Sequence, residues 1–152
     1  MIVISEGVAI HLEPVSLRED PQRVLEKLRE EISPREGEGL LLVRRMEGAS
    51  WRVYALACLR AVRAFEEGRN LGKTLETETL VCLAGMRQVS RAIEEMKPDR
   101  ESVLIFIGRR ILELRELLER VGASAGPPLE GSEGWRTDLE LISESVAVEL
   151  ER

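Results

Sequence analysis

Histidine, cysteine, amide and aromatic side chains are scarce in this 152-residue chain, which has one His, two Cys and 3% aromatic residues. Cys58 and Cys82 form no Cys-x-x-Cys pair. A zinc site or thiol-redox motif is therefore not indicated, and we expect two reduced, buried cysteines. Nucleophilic catalysis needs a base beside a Ser, Cys or Thr, and the sequence suggests no such partner for His11. These absences predict no metal site and no catalytic residues.

Long apolar runs and phosphate-binding loops are also missing. No 18-residue apolar run can span a bilayer, and residues 1–7 lack the basic leader of a signal peptide. We therefore expect a soluble, cytoplasmic protein without membrane contact. No Gly-x-x-x-x-Gly-Lys-Ser/Thr loop occurs, and no Gly-x-Gly-x-x-Gly follows a strand pattern. The sequence therefore predicts no cofactor.

Length and charge place further bounds on the function. With 152 residues and 43% hydrophobic content, the chain fits a single domain spanning residues 1–152. The net charge of −6 argues against a protein that binds nucleic acid mainly through overall charge. However, the segment from Arg44 to Lys73 holds seven basic and three acidic residues. Such a segment can attract an anion, and it fits equally well a helix face that arginines solvate.

Strand and helix patterns alternate along the chain. Strands are predicted at residues 7–12, 40–44, 102–107 and 146–150. Helices are predicted from 21 to about 32, from 50 to 68, from 74 to 93, from 109 to 121 and from 139 to 144, with a loop at 122–134. Asp20, Ser50 and Thr74 are the expected N-caps. The patterns imply a mixed sheet of about four strands with about five helices packed on it, which fits an α+β or an α/β domain, and we predict the α+β class.

Residues 70–93 contain the only Asn of the chain, Asn70, and one of its two Gln, Gln88. In a chain so poor in thermolabile amides, both are expected to serve a purpose. Asn70 can shape a turn or contact a base edge. Gly85 costs about 1 kcal/mol relative to Ala in a helix, which indicates close packing first, or else a helix break or an approaching ligand. Arg87 and Gln88 suit phosphate and base contacts, and they also suit capping or an interhelical hydrogen bond.

The same stretch resembles a family signature of Asn-Leu, then Leu-x-x-Glu, then Ala-Gly-x-Arg-Gln-Ile. Here these are residues 70–71, 75–78 and 84–89, and residues 61–70 are similar to the element that precedes the signature in the family. Met86 stands where the family often has Thr. The family is the small kinase-binding, tRNA-recruiting subunit of the KEOPS complex, which makes threonylcarbamoyl-adenosine in tRNA. The resemblance covers most of the chain and is strongest over residues 50–93.

The resemblance implies a non-catalytic adaptor. It is expected to bind the atypical kinase/ATPase subunit and the single-stranded CCA end of tRNA, while a metal-dependent transferase subunit, contacted indirectly, performs the chemistry. The residues onto which the tRNA-end role is carried are Arg63, Asn70, Leu71, Lys73, Gly85, Arg87 and Gln88. Those onto which the kinase-docking role is carried are Leu80, Val89 and Ile93, each of which fits the core as well.

Two other classes of protein remain open on the residues alone. An enzyme for a small anionic metabolite would use Arg60, Arg63 and Arg87 as a binding cluster and Glu78 as a base, which predicts an enclosed pocket and a perturbed carboxylate. A homodimeric scaffold would instead bury the motif helix against its own copy.

Overall fold

The structure, a computed structural model, describes residues 1–131 and has the predicted α+β architecture, with helices packed on one β-sheet. The strands are β1 Ile2–Ser5, β2 Val8–Leu17, β3 Gly39–Arg44, β4 Glu101–Gly108 and β5 Ala123–Ala125. The helices are α1 Pro21–Ile32, α2 Trp51–Glu66, α3 Leu75–Ala84, α4 Val89–Glu95 and α5 Leu114–Leu117, and a 3-10 helix follows at Glu119–Val121.

The sheet is built around the long strand β2. Its order is β1-β2-β4-β3, and β5 pairs with the second half of β2 on the edge where β1 pairs with the first half. All strand pairs among residues 1–131 are antiparallel, whereas the sequence predicted a mixed sheet. Pro14 lies between the two paired stretches, where its carbonyl accepts the N–H of Gly126 at 2.9 Å. Proline has no N–H to donate, so this edge position suits it.

Both faces of the sheet are buried. Because side chains alternate along a strand, β2 and β4 contribute to two separate cores. On one face, Ile10 and Ile105 pack with Trp51 and Tyr54 of α2. On the other face, side chains of α1 and of the segment 114–121 pack over Phe106. Burial on both faces explains why residues 102–107 are an almost unbroken apolar run.

The helix predicted over residues 109–121 is much shorter in the structure, because the chain before it is held by tertiary hydrogen bonds. The N–H of Leu112 donates to Nε2 of His11 at 2.9 Å. The guanidinium of Arg110 donates to both carboxylate oxygens of Glu38 at 2.8 Å and to the carbonyl of Ile32 at 3.0 Å. These bonds hold residues 109–113 outside a helix, and only α5 and the 3-10 helix remain.

Other boundaries also differ from the prediction. The strand predicted at residues 7–12 continues to Leu17, and part of the predicted loop 122–134 is β5. Asp20 and Ser50 precede their helices as expected, but neither side chain makes a capping hydrogen bond. The predicted helix at 139–144 and strand at 146–150 lie outside the described residues. Within residues 1–131, every helix is too short or too polar to cross a membrane.

The single histidine belongs to the core. His11 lies in β2, and its ring meets the ring of Phe106 edge to face at 5.4 Å. Burial lowers the pKa of His11 to about 4. The charged groups that face it are the amino group of Met1 and the carboxylate of Glu13, which shift the pKa in opposite directions. A neutral imidazole that accepts a hydrogen bond from a backbone N–H is a structural group.

The folded protein should therefore lose stability as the pH falls through the range between about 6.5 and 4. The unfolded chain binds a proton near pH 6.5 and the folded chain does not, so the free energy of unfolding should drop by about 2 kcal/mol from pH 7 to pH 5. Urea unfolding at both pH values measures this difference. The His11→Gln variant should lack most of it, and an unchanged pH dependence in that variant would contradict the assignment.

Candidate nucleic-acid interface

The signature begins in the connection between α2 and α3. Gly68, at φ 68°, turns the chain after α2, and the N–H of Arg69 returns to the carbonyl of Ala64 at 2.9 Å. Nδ2 of Asn70 then donates to the carbonyl of Gly72 at 2.7 Å. Of the two roles that the sequence left open for Asn70, the structure shows the turn-forming one.

A buried carboxylate holds this connection against α3. Glu78 is only 4% exposed, and its Oε1 accepts the N–H groups of Leu71 and Gly72, both at 2.7 Å. Hydrogen bonds from backbone N–H groups to an ionised carboxylate are among the stronger ones in proteins. The Asn-Leu and Leu-x-x-Glu parts of the signature are therefore one hydrogen-bonded unit. Sequence reasoning missed this role, although the spacing of seven residues from Leu71 allows it once Thr74 starts a helix.

Gly72 and Thr74 complete the start of α3. A Cβ atom on Gly72 would lie 2.5 Å from Oγ1 of Thr77 and 2.7 Å from the backbone nitrogen of Glu78, so only glycine fits. Thr74 is the N-cap, as predicted, and forms a reciprocal capping box with Thr77 through two bonds of 3.1 Å. These contacts within residues 70–78 therefore stabilise the conformation of the connection.

Gly85 ends α3 instead of lying inside a longer helix. Its φ is 64°, its N–H donates to the carbonyl of Val81 at 3.0 Å, and a Cβ atom there would have no neighbour within 4 Å. Close packing, the preferred explanation from sequence, is therefore wrong, and the helix break is what the structure contains. The predicted helix to Ile93 is two helices, and Gln88 takes the N-cap position of α4 without a side-chain capping bond.

The candidate tRNA-binding residues on either side of α3 form two groups. The first group is Asn70, Leu71 and Lys73, and the second is Gly85, Arg87 and Gln88. At 1.5 Å per residue, the ten-residue α3 separates the groups by about 15 Å. One stacked nucleic-acid strand rises about 3.4 Å per nucleotide, so this distance corresponds to roughly four nucleotides. The two groups flank a helix and do not converge on a single point.

Four of these six residues have exposed side chains, whereas Asn70 is half-buried and Gly85 has no side chain. Leu71 is 54% exposed, and Lys73, Arg87 and Gln88 are exposed as well. In the described part of the chain, no hydrogen bond or ion pair engages the side chains of Lys73, Arg87 and Gln88. Their charges and amide are available to a ligand.

Arg63 differs from the other candidates because its charge is already paired. Its guanidinium binds the carboxylate of Glu6 through bonds of 2.7 and 3.2 Å. This hydrogen bonding lowers the pKa of Glu6. Glu6, at φ 53°, and Gly7 form the two-residue turn between β1 and β2. Arg63 therefore ties this hairpin to α2, and an RNA phosphate would have to compete with Glu6.

The three candidate kinase contacts also differ in exposure. Leu80, on α3, is half-buried and packs against the core that contains Trp51 and Tyr54. Val89 is half-buried, and Ile93 is 45% exposed on α4. Ile93 is the most accessible of the three.

Two of the residues assigned to the enzyme alternative make structural contacts. Glu78, the base of the enzyme alternative, is buried against backbone N–H groups, and Arg63 is paired with Glu6. Residues 1–131 contain no group of three His, Cys, Asp or Glu side chains that could hold a metal. Cys58 and Cys82 are free thiols, as expected, although Cys82 is only half-buried, and burial raises the pKa of both.

The sequence matches no protein-family model, and a comparison with curated proteins finds no similar sequence. The resemblance to the KEOPS subunit therefore stays a prediction based on the signature residues. The function has to be argued from the geometry described above.

Replacing Glu78 with Ala should destabilise the protein by about 2 kcal/mol or more, because two backbone N–H groups lose their shared acceptor. Glu78→Gln should cost less, since its amide oxygen can take the place of Oε1. Chemical unfolding of both variants, with the half-buried Glu76→Ala as a control, measures the difference. Equal losses for Glu78→Ala and Glu76→Ala would show that the carboxylate does not hold the connection.

Proposed function

We propose that this protein is the non-catalytic subunit of a KEOPS-type tRNA-modifying complex, in which it recruits tRNA by its single-stranded CCA end and binds the atypical kinase/ATPase subunit. The observation that carries the proposal is the set of exposed, unpaired side chains of Lys73, Arg87 and Gln88. They flank α3, whose start is stabilised by hydrogen bonds to Glu78 and whose end is set by the left-handed conformation of Gly85.

This surface has the chemistry that a single-stranded RNA end requires. Lys73 and Arg87 can bind phosphates, and the amide of Gln88 can donate to and accept from a base edge. Bases usually stack on aromatic side chains, which are rare in this chain, so the exposed side chain of Leu71 would supply apolar contact instead. The resulting affinity should be modest and should fall with salt.

The proposed contact with the kinase subunit lies on α4, the helix that follows α3. Ile93 exposes an apolar side chain on α4, five residues after Gln88, the tRNA candidate at the N-cap of the same helix. A kinase subunit bound there would lie beside the captured RNA end. Threonylcarbamoyl transfer would then take place on another subunit of the complex, which this protein contacts only indirectly.

Trimming the CCA end of tRNA should abolish most of the binding, because the proposed surface reads an unpaired terminus. Binding of intact and trimmed tRNA can be compared by fluorescence anisotropy at low salt. Arg87→Ala should weaken the binding of intact tRNA and reduce the slope of log K against log salt by about 0.7. Arg29→Ala, on α1 across the sheet, is the matched control. Absence of binding to either RNA would contradict the proposed role in recruiting tRNA.

Ile93→Glu should weaken co-purification with the atypical kinase subunit without changing tRNA affinity, since it places a charge on an exposed apolar contact. The side chain is not buried in the isolated protein, so its unfolding free energy should change by less than about 0.5 kcal/mol. Val53→Glu, at another exposed apolar position on α2, serves as the control. Equal kinase binding by both variants and the parent protein would place the docking surface elsewhere.

A further inference from the structure

An open groove lies at one end of the sheet, outside the signature. It has a volume of about 580 Å³. One wall is the end of β2 and the start of α1, with Leu17, Arg18 and Pro21, and the other wall is the segment 97–100 after α4. The N–H of Leu17 donates to the carbonyl of Arg100 at 2.8 Å, which joins the two walls. The groove is therefore a built feature of the fold.

Three cations line the groove. Nη2 of Arg18 donates to the carbonyl of Ala123 at 3.0 Å, which orients its guanidinium. Lys97 and Arg100 are exposed, and within residues 1–131 their side chains make no ion pair or hydrogen bond. At least two positive charges in the groove are free to meet a ligand.

Two carboxylates share the groove, and they are placed differently. Glu19 is bound by Nζ of Lys27 through bonds of 2.8 and 3.1 Å, so its charge is largely compensated. Asp99 accepts the backbone N–H of Arg100 at 2.8 Å and has no cationic side chain bound to it. The balance of charge in the groove favours an anion, which Asp99 alone opposes.

The position of the groove relates it to the signature. Gly39, at the start of β3, lies against Leu75 at the start of α3, where a Cβ on the glycine would be 3.3 Å from Cδ2 of the leucine. At the other end of β3, the N–H of Arg44 donates to the carbonyl of Met96, directly before Lys97. The six residues of β3 span about 20 Å. Lys73, two residues before Leu75, and the groove therefore lie toward opposite ends of β3.

We propose that this groove binds the phosphates of the RNA strand that leads to the captured end, so that tRNA is held by its backbone as well as by its terminus. The inference rests on the proposed function. An open groove with two exposed, unpaired cations suits a chain of phosphates, whereas metabolite sites are enclosed and mostly apolar.

The test compares two RNAs, intact tRNA and a short single-stranded oligonucleotide that ends in CCA, over a range of salt concentrations. Lys97→Gln combined with Arg100→Gln should weaken intact tRNA binding about tenfold at 0.1 M salt and reduce the salt slope by about 1.5. The oligonucleotide should bind this double variant as it binds the parent protein. Asp99→Asn should strengthen tRNA binding a few-fold, because it removes the opposing charge and keeps an acceptor for Arg100.

Arg29→Gln combined with Arg35→Gln removes the same charge at the far end of α1 and should change neither quantity. An unaltered salt slope in the groove variant, with intact CCA-dependent binding, would overturn the inference and leave the proposed function standing. Loss of kinase binding in place of tRNA binding would also overturn it, since the groove would then be a protein contact. If the parent protein bound neither RNA, the proposed function itself would fail.

Discussion

The proposed RNA-binding surface depends on the hydrogen bonds that the buried carboxylate of Glu78 accepts. This carboxylate accepts two backbone N–H groups from the connection that precedes its own helix, and so joins the end of α2 to the start of α3. Without an acceptor there, the partly buried N–H of Leu71 and the buried N–H of Gly72 would lack a partner, which costs more than the bonds themselves provide. The position of Lys73 and the direction of α3 both follow from this arrangement.

In the rest of the described chain, some polar side chains are buried or paired within the fold, and others are exposed to solvent. His11 and Cys58 have reactive side chains but lie in the cores, where burial keeps the imidazole neutral and the thiol protonated. Arg63 and Arg110 are paired with carboxylates that fix a hairpin and a loop. Within the described chain, no hydrogen bond or ion pair engages the side chains of Lys73 and Arg87, which lie exposed beyond the two ends of α3. The positive charge of that surface comes from where these two residues lie, because the protein as a whole is acidic.

The sequence patterns predicted the helices and strands correctly where interactions between residues close in the sequence determine them. The apolar spacing of α1 and α2, the buried run of β4 and the Thr74 cap all depend on residues close in sequence. The prediction failed where contacts between residues far apart in the sequence determine the local structure. The segment 109–113 has a helical pattern, but its backbone bonds to His11 and Arg110 bonds to Glu38. β5 forms because Ala123–Ala125 meets β2, which no neighbouring residue signals.

The sequence by itself determined the α+β class, because the periodic burial of apolar side chains is a local property. Only the tertiary structure decided that Gly85 separates two helices and that Glu78 is an anchor for the connection. It also decided that the candidate RNA contacts flank α3 and do not cluster. These outcomes depend on which backbone N–H groups lack a helical partner, and that becomes known only when the chain is folded.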